Sequence, residues 1–142
     1  MKQNFILVAI LLAMLSIVNA FPYQLITTFI QCPQVPLITT TISPDPPVAG
    51  GNELVTISGS LTTPIVPGSK LLILFSDGNN ALTTPVVTDI CTMTGVSCPA
   101  KNLRITKSVP LPAKLPAKYG MITMILDPAE NPIGCSLAII GV

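Results

Sequence analysis

The chain has 142 residues, of which 9% are charged and 4% aromatic, with seven basic side chains, six acidic ones and no histidine. This length fits one domain better than two. The near-neutral balance excludes the basic footprint of a nucleic-acid binder, and the missing histidine removes the usual base for a serine or cysteine nucleophile, so neither a nucleic-acid partner nor an enzyme is expected.

The first residues read as a secretory signal. Lys2 supplies the positive charge, an apolar run from 5 to 18 is broken only by Ser16, and Val18-Asn19-Ala20 offers small or apolar residues where a signal peptidase cuts. The run is short for a membrane span. Residues 1–20 are therefore expected to be removed, leaving 21–142 as the mature domain, secreted or delivered to a vacuolar or other endomembrane lumen. Lys2 is the only charge lost, so six basic residues then balance six acidic ones.

Four cysteines in a secreted chain imply two disulfides. The turn-prone loop between Cys91 and Cys98 favours a local bridge, which would leave Cys32 for Cys135. Three connectivities remain open on the residues alone. A long bridge would stabilise by about 5 kcal/mol and the short one by about 2.5. With no His and no Cys-x-x-Cys pair, no metal site and no cofactor are expected.

Taken in order, Phe29-Ile30-Gln31-Cys32 suggests a short strand, and 37–42, rich in Thr and Ile, suggests another. The loop that follows cannot be helical, because Pro44, Pro46 and Pro47 fix φ and remove donors, and Gly50-Gly51 permits a turn. A strand is expected over 54–61, with Val55, Ile57 and Leu61 on one face, Thr56, Ser58 and Ser60 on the other, and Leu54 breaking the pattern. Residues 64–68 read as a turn. In the strand 70–76, Lys70 should face water, which puts Leu71, Ile73 and Phe75 inside and leaves Leu72 and Leu74 outside.

Asp77-Gly78-Asn79-Asn80 is a turn signal. Strands are expected at 86–91 and at 103–109. In the latter, Lys107 interrupts the apolar face and marks a bulge or a sheet edge. Three prolines stiffen the connection that carries Lys114 and Lys118. The strand 119–127 is apolar on both faces, 127–132 turns, and 135–141 closes the chain. Seven or eight short strands at about ten-residue spacing predict an all-β, immunoglobulin-like sandwich of antiparallel strands.

Three blocks carry a resemblance. They are Ser43-Pro-Asp-Pro-Pro-Val-Ala-Gly-Gly-Asn-Glu-Leu-Val-Thr-Ile-Ser-Gly59, then Val87-Thr-Asp-Ile-Cys91 with Cys98-Pro99, then Val109-Pro-Leu-Pro-Ala with Lys118-Tyr-Gly120 and Cys135-Ser-Leu-Ala-Ile-Ile-Gly141. Together they resemble the ML (MD-2-related lipid-recognition) family, most like its fungal phosphatidylglycerol/phosphatidylinositol transfer proteins. The resemblance implies Cys32–Cys135 and Cys91–Cys98 bridges and an apolar cavity between two splayed sheets. It also implies lipid binding and transfer: a phospholipid (phosphatidylglycerol or phosphatidylinositol) or a sterol held in that cavity, with transient contact to a membrane surface. Animal members usually carry a third disulfide, which this chain lacks.

On that reading the lipid-lining residues are the inward faces: Val55, Ile57, Leu71, Ile73, Phe75, Ile105, Ile122, Met124, Leu126, Leu137 and Ile139. Lys114 and Lys118 could meet an anionic headgroup at the cavity mouth. Asp45, Asp77, Asp127 and Glu130 fall in turns, Asp89 should hydrogen-bond its own loop, and nothing in the sequence brings two acids together as a glycosidase would need. The alternative function is a dry sandwich acting as an interaction module, with Leu72 and Leu74 as its contact patch.

Overall fold

A computed structural model describes residues 27–141, so the expected signal peptide lies outside the described residues. Eight strands follow one another: β1 (Phe29–Gln31), β2 (Thr39–Ser43), β3 (Asn52–Ile65), β4 (Lys70–Ser76), β5 (Val86–Asp89), β6 (Ala100–Pro110), β7 (Lys118–Leu126) and β8 (Pro132–Gly141), with one 3-10 turn, Ile90–Thr92, after β5. They form an antiparallel sandwich of a five-stranded sheet, β1-β8-β7-β4-β5, over a three-stranded sheet, β2-β3-β6.

The turns form where their side chains can hold them. Asp77 Oδ1 accepts from the backbone N–H of Asn79 (2.8 Å) and Asn80 (2.7 Å), and these bonds hold its carboxyl below the usual range. Asp127 accepts from Asn131 N–H at 2.8 Å. Asp89 accepts from Cys91 N–H at 3.1 Å, which ends β5 at Asp89, short of the expected 91. β3 outruns its expected end and passes through Pro64. Its pairing with β2 stops at Ser58 and its register with β6 shifts between Ser60 and Ile65, so no regular ladder asks Pro64 for a donor. The expected turn contracts to 66–69, closed by Ser69 N–H on Val66 O at 2.9 Å.

Strand alternation decides what is inside. Leu71, Ile73 and Phe75 of β4 and Val55 and Ile57 of β3 are completely buried, and Ile105 of β6 nearly so, as expected. On β7 and β8 the faces are the reverse of those expected. Tyr119, Met121, Thr123 and Ile125 point inward on β7, with Ser136, Ala138 and Ile140 on β8. Ile122, Met124, Leu126 and Leu137 are half-buried on the outer face, and Ile139 is 63% exposed there. β7 is apolar on both sides, so periodicity could not choose, and a one-residue slip exchanges the two faces.

The two long edges of the sandwich differ. On one, Cys32 is bridged to Cys135, continuing the β1–β8 register. Cys135 N–H donates to Pro36 O at 3.0 Å, Ile38 N–H donates to Cys135 O at 3.4 Å, and the Thr40 and Ser136 hydroxyls bond at 2.6 Å across the buried gap between sheets. Gly134 permits the close approach, since a Cβ there would lie 2.7 Å from Ile38 Cγ2 and 3.1 Å from Leu61 Cδ2. On the other edge β5 and β6 border different sheets and do not pair. They are tied only at their far end, through the Ile90–Thr92 turn and the Cys91–Cys98 bridge. The sandwich is stitched along one side and open along the other.

Candidate functional site

A cavity of about 400 Å³ opens on the unstitched edge. Leu82 and Thr83 of the β4–β5 loop and Val86 of β5 line it on one side, and Val109 of β6 with Leu111 and Pro112 just beyond that strand on the other. Leu82 and Val86 pack against the core. The rim is fastened where two loops cross: Gly50 N–H donates to Pro112 O at 2.7 Å and Leu111 N–H to Gly51 O at 2.8 Å. Gly50 takes a φ of +78°, open to glycine at little cost. Asp45, in the same proline loop, accepts from Thr27 N–H (2.9 Å) and Thr27 Oγ1 (2.6 Å).

An acid faces inward at this end of the sandwich. Glu53, Val55 and Ile57 alternate onto the inner face of β3, and all three are fully closed to solvent. Neither carboxylate oxygen of Glu53 has a hydrogen-bond partner among the described residues. Burial, with a smaller push from Asp45, lifts its pKa from 4.5 to about 7. Tyr119, inward on β7, is raised too, by burial first and then by Glu53 and Asp45. Its ring lies 6.3 Å from that of Phe75, tilted by 45°. Thr83 Oγ1, at the cavity, is also buried without a partner.

Sequence reasoning missed Glu53, whose carboxyl the nearby charge of Asp45 helps to raise. The signal was present in the break at Leu54. Extending the Val55–Ile57 alternation back by one step puts Glu53 inside and Leu54 outside, and Leu54 is 46% exposed. Lys107, the other interruption, stands opposite Val55 on β6, which is indeed an edge strand.

The predicted lining residues divide. Val55, Ile57, Leu71, Ile73, Phe75 and Ile105 meet between the sheets. Ile122, Leu137 and Ile139 instead join Leu74 around a groove of about 560 Å³ on the outer face of the larger sheet, over Gly120. Met124 and Leu126 continue that face beside Leu72 and Lys70. Lys118 lies at the same groove with Asp77. Lys114 is exposed on the β6–β7 connection, whose Leu111 and Pro112 border the mouth, so the two lysines do not converge on one site. Both expected bridges, Cys32–Cys135 and Cys91–Cys98, are formed. No group of three or more His, Cys, Asp or Glu among the described residues could hold a metal ion.

No curated protein matches the chain significantly. Among solved structures, chicken MD-1 complexed with lipid IVa is similar, at 10% identity and a TM-score of 0.52 over 80% of this chain and 87% of that one. That likeness is one of fold. The family model of the ML domain matches residues 27–140, nearly all of the described chain. The two-sheet sandwich and this match agree, and the chain belongs to the ML-domain family.

Proposed function

We propose that the chain is a secreted lipid carrier that takes the apolar part of a phospholipid or sterol between its sheets through the open β5/β6 edge. The observation that carries this reading is the asymmetry of the edges. Direct hydrogen bonds from β8 to the β2 side close one, while a largely apolar cavity lies on the other. Membership of the ML family supports it, as does the solved complex of chicken MD-1 with lipid IVa. The likeness of the sequence blocks to fungal transfer proteins makes phosphatidylglycerol and phosphatidylinositol the first phospholipids to try. Two disulfides and the N-terminal sequence support an oxidising, secretory destination.

The mechanism needs no covalent step. Each methylene withdrawn from water is worth roughly 0.8 kcal/mol, and a bilayer offers the same gain. Net transfer is therefore nearly balanced, and the carrier lowers the barrier to crossing water during transient contact with a membrane surface. A Val86→Trp change, which plugs the mouth from β5, should sharply slow transfer of a fluorescent phospholipid between vesicles with little loss of stability. Unchanged transfer in a folded variant would show that lipid does not pass this edge.

The outer face gives a second reading its own observation. Leu72, Leu74, Ile122 and Leu137 are half-buried there, Ile139 is largely exposed, and an interaction module could use them as a contact patch. That reading predicts no lipid transfer by the unmodified protein.

A further inference from the structure

Glu53 is an expensive residue to keep where it is. A carboxylate sealed from water with no hydrogen bond loses its hydration and gains nothing in return. The only ion pair among the described residues is Lys70–Glu130, far along the chain from it. Leucine or methionine would fill the position on β3 between two apolar neighbours without that cost. The surroundings do not explain the acid either. Val109, its cross-strand partner, lines the mouth cavity, which puts Glu53 one side chain behind the lining, Phe75 and Tyr119 pack inward from the other sheet, and Thr83 Oγ1, in the lining itself, is another unpartnered polar atom. An acceptor that is pre-placed, desolvated and unused beside a cavity lacks only a donor. Bonds to a charged acceptor are the strong ones when made inside a protein.

We propose that Glu53 is the polar recognition point of the cavity, and that it selects ligands whose polar end carries a hydrogen-bond donor, a hydroxyl or an ammonium, over ligands whose polar end can only accept. This rests on the carrier reading and refines it. Asp45 stands close by with its carboxylate held by Thr27, so the local field also disfavours an unshielded anion such as a free fatty-acid carboxylate. The donor can come from a sterol or glycerol hydroxyl, or from an ethanolamine head.

Two matched pairs of probes separate these sources: cholesterol against its 3-O-methyl ether, and phosphatidylethanolamine against phosphatidylcholine of the same chains. Uptake from vesicles by the full mature protein near pH 8, where Glu53 is ionised and can only accept, is the readout. The unmodified protein should favour the donor-bearing member of at least one pair by about tenfold or more. Glu53→Leu should bring that ratio to near one. Glu53→Gln, which still accepts a hydrogen bond but carries no charge, should retain a hydroxyl preference and lose an ammonium preference. Cooperative thermal unfolding of each variant verifies its fold. Uptake without a donor preference, or a preference that survives Glu53→Leu, would overturn the assignment and leave the carrier reading standing. No uptake of any probe would overturn the assignment, and no uptake of phosphatidylglycerol or phosphatidylinositol either would overturn the carrier reading as well.

Discussion

At the scale of single residues, Glu53 dominates the electrostatics of the interior. Its pKa rises from 4.5 to about 7 on folding. Between those values the folded state keeps a proton that the unfolded chain has released. Its penalty is therefore absent below the lower value, grows as pH rises through the window, and is constant above the upper one. Asp45 from the proline loop and Tyr119 from β7 are the titratable groups that interact with it, and Tyr119 is neutral across this window. Glu53→Gln should thus stabilise the protein by on the order of 1–3 kcal/mol near pH 8 and by little near pH 4, as read by urea denaturation. Equal effects at the two pH values would mean that Glu53 ionises freely in the fold.

At the scale of elements, the faces of β7 make the sharpest test. Met121 is fully buried and Met124, three residues on, is half-buried on the outer side. Met121→Ala should cost about 2–5 kcal/mol through transfer and cavity terms. Met124→Ala should cost under about 1 kcal/mol. Denaturant midpoints of the two variants decide it, and the opposite order would restore the faces expected from sequence. The contrast shows what was legible. β4 could be read residue by residue because Lys70 marks the wet side. β7 could not, because its one polar side chain in mid-strand, Thr123, is buried while Met124 beside it faces outward. On β3 the pairing of polar Glu53 inside with apolar Leu54 outside ran against binary patterning, and such inversions mark places where function overrides packing. The proline loop and the turns at Asp77 and Asp127 were legible because each rests on local chemistry, whereas the cysteine pairing followed from the family resemblance and not from the residues alone. The open edge was not, because it depends on which strands fail to pair, a property of the topology rather than of any segment.

At the scale of the whole molecule, the ML-domain sandwich behaves as two leaves joined along one side. The Thr40–Ser136 hydrogen bond and the glycine-permitted contact of Ile38 with β8 hold the joined side, and the Cys32–Cys135 bridge pins β1 to β8 within the larger sheet. The β5 and β6 edges can part without breaking a sheet ladder. On the proposed carrier reading, opening there would expose the apolar inner faces to a ligand and closing would bury the ligand with them. The central claim is that the interior holds lipid. Purified protein from a secreting host, extracted with organic solvent and assayed by mass spectrometry beside the intact complex, tests it directly. About one lipid per protein is expected, lost on extraction and regained from vesicles. Protein that carries no lipid as purified and acquires none from vesicles of any composition would contradict it.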